Sequence, residues 1–332
     1  MTFAPARRCL LITPLTFYTF HERLKASLEG FGYSVDLLNE EYPANTAGKI
    51  LAKLALPLVR KTTLSTLRKH LAATPRYDLV LIVKGRGLGP EAIELLKAHA
   101  GKVVGYNFDS FLFNPSPLDW NALTDRYATF DIVDAKSHSL RLVHLFSAVT
   151  GMTAAHAPAN DLSIIMRIHS DRLAYVDRVL RAMEGRPVFT FLYASSRLTF
   201  LLYALRMPGP AFRLRRHISF RPLSYERAMA AIANSRATLD YAHPLQSGIT
   251  VRCFEAQSIG VSVVTNNPHV ARSGVFPEGA VATFPLDGAP ESLTRFIAGL
   301  EGREIVPTLR TTDHFIADLL EEAPPQTRGN RS

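Results

Sequence analysis

The sequence predicts an α/β protein built as two doubly wound, parallel-sheet domains. Three observations carry that expectation. Short, wholly apolar runs recur along the chain, as strands buried on both faces of a sheet do. Segments with helical spacing of apolar residues separate them. The alternation breaks near 155–160 and then restarts, in a chain of 332 residues, long enough for about two domains of roughly 150 residues.

In the first half, Arg8 to Thr13 reads as a fully apolar strand and Phe17 to Phe31 as a helix stopped by Gly30 and Gly32. Tyr33 to Leu38 is a second strand. Asn45 to Ala73 reads as helix, broken or kinked at Pro57. Asp78 to Lys84 is the clearest buried strand, followed by Gly85, Gly87 and Gly89 and a helix over Pro90 to His99. Lys102 to Asn107 is another strand. Phe130 to Ala135 follows, and then a helix from Ser137. The breakers of Ala155 to Asn160 mark the linker.

In the second half, Leu162 to Met166, Pro187 to Tyr193, Ala237 to Tyr241 and Val261 to Thr265 read as strands. The intervening helices are His169 to Met183, Ser195 to Leu205, Ser224 to Ala233 with Ser224 as N-cap, and Gly248 to Ile259. Domains of 1–157 and 158–323 are expected, with 324–332, which begins Pro324-Pro325, as a disordered tail.

The chain is 47% hydrophobic and 20% charged, an ordinary globular composition. The formal charge of +9 favours anionic partners without choosing among nucleotide phosphates, nucleic acid and membrane. Cys9 and Cys253 lack metal-ligand spacing and read as buried reduced thiols. No stretch approaches the ~20 apolar residues of a membrane span. The apolar run after Arg8 ends too soon, at Thr13-Pro14, for a signal peptide. A cytoplasmic protein is expected, peripheral to the inner face of the membrane if it meets one.

Between Asn45 and Ala73, Lys49, Lys53, Arg60, Lys61, Arg68 and Lys69 alternate with leucines. The pattern reads first as a surface helix packed on a sheet, with a helix on an anionic membrane as the alternative. Arg206, Arg213, Arg215, Arg216, Arg221 and Arg227 form a second basic cluster, interleaved with Phe212, Phe220 and Tyr225. No nucleic-acid-binding motif accompanies it, so nucleic acid is not expected as a partner, and the cluster reads as a diphosphate-facing or membrane-facing surface, or as a solvated face.

The most informative stretch runs from Leu239 to Asn267. A strand ends at Asp240-Tyr241, a loop His243-Pro-Leu-Gln-Ser-Gly248 leads into a helix, and Gly260 stops that helix before a valine-rich strand. Free N–H groups and the dipole at such a helix start attract anions, and Gly248 permits close backbone approach by a phosphate. Arg252 is either a phosphate cation or a surface charge. Glu255 lies too far inside the helix to cap it and is either a hydrogen-bond acceptor for a diol such as ribose or an ion-paired helix carboxylate. Lys84-Gly-Arg-Gly-Leu-Gly89 is not a dinucleotide fingerprint, because it does not follow the first strand. It reads as a tight turn or an anion loop. Asp109 stands where open α/β sites form, beyond a strand's carboxyl end, as a catalytic or a turn aspartate. His21 and His243 are further cleft candidates.

Ser247-Gly248, Glu255-Ala256 and Gly260-Val-Ser-Val-Val264 resemble the donor-site motif of GT-B glycosyltransferases, which are built of two Rossmann-like domains flanking a cleft. Gln246-Ser-Gly-Ile-Thr-Val-Arg252, Thr265-Asn-Asn267, Tyr106-Asn-Phe-Asp-Ser110, Asp161-Leu-Ser-Ile-Ile and His169-Ser-Asp-Arg172 resemble bacterial polysaccharide and lipopolysaccharide biosynthesis proteins related to the CgeB group. The likeness covers roughly Arg8 to His269. It implies a hexosyltransferase-like enzyme that passes a sugar from a nucleotide-sugar donor to a bacterial glycan or lipid-linked acceptor. No cofactor and no metal are implied.

On this resemblance the N-terminal domain binds acceptor, with Asp109 as catalytic base, and the C-terminal domain binds donor. Gln246, Ser247, Gly248, Ile249 and Thr250 form the diphosphate loop, Arg252 neutralises phosphate and Glu255 holds ribose. The sequence departs from the pattern at Met166-Arg167, where relatives tend to carry Gly-Thr. The bulky pair narrows phosphate approach, while Arg167 supplies a charge in place of backbone donors. That departure sustains the alternative of a catalytically silent nucleotide-sugar-binding or scaffold protein.

Overall fold

The computed structural model describes residues 7–15, 20–45, 51 and 54–325. The chain forms two compact units. The first comprises Met1–Phe146, Pro244–Gly248 and Thr311–Ser332, and the second Ser147–His243 and Ile249–Arg310.

The first unit carries strands β1 (Arg7–Thr13), β2 (Tyr33–Asn39), β3 (Tyr77–Val83), β4 (Ala100–Asn107), β5 (Arg126–Thr129) and β6 (Arg141–Leu142). They form one parallel sheet in the order β2-β1-β3-β4-β5-β6. Successive side chains of a strand face opposite sides, and Cys9, Leu10, Leu11 and Ile12 are all buried, so both faces are covered. Leu10, Ile12, Val80 and Ile82 pack with Leu67 and Leu71 of helix Leu56–Ala72 and with Ile93 and Leu96 of helix Pro90–His99.

The second unit carries β7 (Asn160–Arg167), β8 (Val188–Tyr193), β9 (Ile218–Ser219), β10 (Ser235–Asp240), β11 (Ser262–Thr265) and β12 (Val281–Thr283). Its parallel sheet runs β12-β11-β10-β7-β8-β9. Connections leave β7 in one direction through β8 and β9, then return to the other side of β7 through β10. The reversal between β7 and β10 is a topological switch point, and the pair β1 and β3 is its counterpart in the first unit. Ligands of such sheets lie beyond the carboxyl ends of the strands at these points.

Several expectations shift. The helical segment is broken as expected beside Pro57: Leu51 and Leu54 are helical, Ala55 is not, and helix Leu56–Ala72 restarts with Pro57 in its first turn, where no backbone N–H is missed. Val59, Thr63, Leu67 and Leu71 bury its apolar face inside the first unit, and Arg60 is paired with Asp119. The face that a membrane would need is thus occupied by the core, although Leu54 and Leu58 remain exposed. Lys49 and Lys53 lie outside the described residues.

The strand expected at Phe130–Ala135 lies earlier, as β5. Asp131 accepts from the N–H groups of Val133 and Asp134 and starts helix Ile132–Ser137 instead. Helix Arg172–Ala182 begins later than expected because Ser170, at φ 52°, turns the chain first. Ser224 does cap helix Tyr225–Ala233, and Gly260, at φ 88°, ends helix Val251–Ile259.

The expected division at 157/158 gives way to one at 146/147, and the C-terminal segment returns to the first unit. Helix Thr312–Leu320 buries Phe315, Ile316, Leu319 and Leu320. Phe315 meets Tyr106 edge-on at 4.9 Å and Phe146 at 5.0 Å. Of the expected tail, Pro324 and Pro325 are described and 326–332 lie outside the described residues.

Candidate active site

In the first unit a charged cluster gathers beyond the carboxyl ends of β2, β3 and β4. Strand β3 ends at Val83, and Lys84 follows in a left-handed conformation, φ 72°. Its ammonium lies 3.0 Å from the carboxylate of Asp109, two residues beyond the end of β4. Asp109 is buried, and its other oxygen accepts from Gln246 Nε2 at 3.3 Å. Burial works to lower the Lys84 ammonium, but Glu40 and Asp109 outweigh it and hold it above its ordinary value.

Glu40 and Glu41 follow β2. Arg86 donates to both oxygens of Glu41, at 2.7 and 2.6 Å, and its backbone N–H donates to Glu40 at 2.9 Å. Burial pushes the Glu40 carboxyl up to about 7, against the pull of Lys84 and the Arg86 N–H. The glycine loop of 85–89 thus closes onto an acidic pair. Of the two readings of that segment, the tight turn is the one formed, with the Leu88 N–H donating to the Gly85 carbonyl at 3.1 Å.

The loop Pro244–Gly248 also belongs to the first unit. The Ser247 N–H and hydroxyl both donate to Asp131, each at 2.6 Å, and the Ser247 oxygen accepts from Val133 N at 2.9 Å. A Cβ on Gly248 would come within 2.3 Å of the Phe130 ring and 2.7 Å of its carbonyl oxygen. Gly248 therefore admits Phe130, and the donors of Ser247 are engaged by a carboxylate. Ile249 is fully buried. The Thr250 hydroxyl donates to Asp240 at 2.6 Å, and Thr250 rather than Gly248 precedes the helix.

In the second unit the carboxyl ends of β7 and β10 bring together Arg167, His169, Asp171 and Arg172 on one side and Asp240, Tyr241 and His243 on the other. Tyr241 donates its hydroxyl to Asp171. Arg172 lies 5.1 Å over the Tyr241 ring and donates to the Arg167 carbonyl at 3.2 Å, while its buried Nε has no hydrogen-bond partner. Burial, reinforced by Arg172, His243 and Arg167, pushes the His169 imidazole down to about 4, so the ring is neutral at pH 7. Asp240 is fully engaged, accepting from Thr250 and from Thr265 at 2.8 Å.

Helix Val251–Ile259 follows β10. Arg252 lies 3.4 Å from Glu255, one turn along, and Glu255 is buried. Met166 packs into the second unit's core, whereas Arg167 is exposed, so the side chain of Met166 does not narrow the loop that follows β7.

The structure thus brings Asp109 and Gln246 together in the first unit, and Arg167, His243, Thr250, Arg252 and Glu255 near the strand ends of the second. His21 stands half-buried in the first turn of helix Phe20–Gly30. Sequence reasoning did not single out Glu40, Glu41 or Asp131, and it met Asp171 and Tyr241 only within longer motifs. The one signal for the first two was an acidic pair directly after an apolar strand. A cavity of about 470 Å³ in the second unit, lined by His156, Arg236, Gly260 and Arg303 among others, opens at the amino ends of β10 and β11, away from these groups. Among the described residues no group of three or more His, Cys, Asp or Glu side chains is placed to hold a metal ion.

No family model matches the chain, and no curated protein does. Solved structures do. Sucrose-phosphate synthase from Thermosynechococcus elongatus matches with a TM-score of 0.63 at 11% identity, over 94% of each chain. UDP-GlcNAc 2-epimerase from Neisseria meningitidis, bound to UDP-GlcNAc, matches at 0.56 and 10%, over 95% of this chain and 99% of that one. AviGT4, a glycosyltransferase involved in avilamycin A biosynthesis, matches at 0.52 and 15%, over 95% and 93%. Two parallel sheets of six strands with interleaved helices, matched over nearly the whole chain, give this protein the two-domain α/β fold of the GT-B glycosyltransferases.

Proposed function

We propose that this protein is a GT-B glycosyltransferase that moves a sugar, a hexose by the motif resemblance, from a nucleotide-sugar donor to a bacterial surface glycan or glycolipid acceptor. Kinship with the CgeB-related proteins is part of the same proposal. The carrying observation is the crevice between β7 and β10. There Arg167 and Arg172 flank a neutral imidazole, and Arg252 stands in the first turn of helix Val251–Ile259. Cations, among them Arg172 with its buried and unpartnered Nε, and a helix N-terminus suit a diphosphate. They also supply the positive charge that a departing nucleoside diphosphate requires, without a metal. Asp109, in the first unit, is the carboxylate assigned to take the acceptor hydroxyl's proton.

A thermal-shift screen against UDP-, GDP-, dTDP- and CMP-sugars tests the donor half. A donor at 100-fold over its dissociation constant stabilises by about 2.7 kcal/mol, and a flat response to all four rejects the reading. Transfer should persist in EDTA. An anion seated near His169 opposes the cations that depress it, so binding of the donor at about pH 5–6 should take up a proton. Calorimetry in buffers of different ionisation enthalpy reads that uptake, and His169→Gln should abolish it.

A silent nucleotide-sugar-binding protein is the second reading. It is favoured by the occupation of both Asp109 oxygens by Lys84 and Gln246. Asp109→Asn separates the two. A catalytic base predicts turnover lowered by about 10²–10⁴-fold with donor affinity unchanged. Donor binding by a wild-type protein that transfers no sugar to any acceptor tested identifies the silent one.

A further inference from the structure

Helix Arg197–Arg206 presents apolar side chains on two opposite faces. Phe200, Tyr203 and Ala204, with Met207 just beyond, pack on the core of the second unit. At a 100° step per residue, Leu198, Leu201, Leu202 and Leu205 lie on the other side, within one narrow stripe. They are 66%, 53%, 55% and 73% exposed. Ser196 caps the helix through Thr199 N, so the stripe sits on a formed element and not on a loop. The chain continues into helix Pro208–Leu214, which buries Ala211 and Leu214 and leaves Phe212 exposed, and then to the exposed Phe220.

This apolar surface is set in positive charge. Between 197 and 227 the chain carries seven arginines and one acidic residue, Glu226. Among the described residues, Arg213 alone of the seven is ion-paired, to Asp177 at 2.6 Å. Arg215 stacks 3.9 Å over Phe212, and Arg197 lies 6.0 Å from the Phe220 ring centre. At 100° per residue, Arg197 and Arg206 flank the leucine stripe on either side.

We propose that this face docks on an anionic lipid bilayer, with the leucine stripe and Phe212 entering the acyl boundary and the arginines meeting lipid phosphates. Aliphatic side chains in a narrow stripe between guanidinium groups match the cross-section of such an interface. A second copy of the chain is disfavoured by charge, because a two-fold contact sets like arginines against one another. Nucleic acid would use the arginines and leave the leucines in water. The inference is independent of the sugar-transfer reading and differs in place from helix Leu56–Ala72, where Val59, Thr63, Leu67 and Leu71 are already buried.

Co-sedimentation of the full chain with phosphatidylcholine vesicles, with and without phosphatidylglycerol, tests it. Binding is expected with phosphatidylglycerol and should fall at least ~10-fold when salt is raised from about 0.05 to 0.5 M. Leu201→Ser, Leu202→Ser and Leu205→Ser together should weaken it at least ~10-fold at low salt. Arg206→Glu, Arg216→Glu and Arg221→Glu together should do the same. All six positions are exposed, and an unchanged melting temperature confirms that each variant is folded. Absence of vesicle binding overturns the proposal. So does binding untouched by the leucine changes, or binding abolished by Lys61→Glu and Lys69→Glu alone. A dimer in sedimentation velocity that the serine variant dissolves, without vesicle binding, assigns the face to a second copy and overturns it as well.

Discussion

Glu40 shows how position, not residue type, sets the behaviour of a carboxyl. It is buried at the end of β2 beside a second carboxylate, and the bidentate partner Arg86 has gone to Glu41. Its proton is therefore held more tightly in the folded chain, up to about 7. A raised folded value gives stability that is complete below the unfolded pKa and is lost as pH rises through the folded one. Between about pH 4 and pH 8 the wild type should lose on the order of 3 kcal/mol relative to Glu40→Gln, whose amide does not titrate. Urea unfolding of both proteins across that range checks it; parallel pH curves would remove Glu40 as the source. The neighbouring Lys84–Asp109 pair is held by the same cluster, so the substitution should also move the pH profile of any transfer reaction.

At the scale of elements, Asp131 does more than its place in the sequence suggests. It caps helix Ile132–Ser137 through two N–H groups and holds Ser247, more than a hundred residues away, through two further donors. Loss of a cap costs about 1 kcal/mol and loss of charge-assisted hydrogen bonds about 1.5–3 kcal/mol. Asp131→Ala should thus destabilise the protein by about 2–4 kcal/mol, a shift that denaturant midpoints at constant m-value resolve. Ser247→Ala should cost less, since Asp131 keeps its helix. Elements with a continuous apolar run or a period-3.6 pattern over seven or more residues were legible: β3, helix Pro90–His99 and helix Tyr225–Ala233 lie within a residue or so of expectation. Two-residue strands such as β6 and β9 carry no period to read. The start of helix Val251–Ile259 moved because Thr250 is held by Asp240, a contact invisible to local pattern.

At the scale of the whole molecule, the chain assigns its last helix to its first unit. Phe315, Ile316, Leu319 and Leu320 are each worth about 1.5–3 kcal/mol on burial, or about 6–12 kcal/mol in all. That is comparable with the entire stability of a domain, roughly 5–15 kcal/mol. Ion pairs from Glu321 to Arg126 and Arg141, at 2.6 and 2.8 Å, lie at the same end. A chain ending at Arg310 should therefore lose the calorimetric transition of the first unit, and a peptide spanning 311–325 should restore it in part. A truncated chain with an unchanged first-unit transition would show that β1 to β6 and their helices suffice.

The sequence by itself determined the class of fold, because strands buried on both faces must be continuously apolar and the helices between them must be amphipathic. It also placed Asp109 and Arg167 at strand ends, since the end of an apolar run is local information. What tertiary structure alone decided is who holds whom. Gln246, Ser247 and Gly248 read as a phosphate loop, yet their partners are Asp109, Asp131 and Phe130. Glu255 read as a ribose acceptor or an ion pair, and its partner in the folded chain is Arg252 at 3.4 Å. The leucines at 198, 201, 202 and 205 look like a core stripe in one dimension, and the structure turned the other face of that helix inward. Periodicity reports that a face is apolar. Which of two apolar faces meets the core, and which carboxylate a given donor finds, depends on residues far apart in sequence, and their meeting is set by the packing of whole elements.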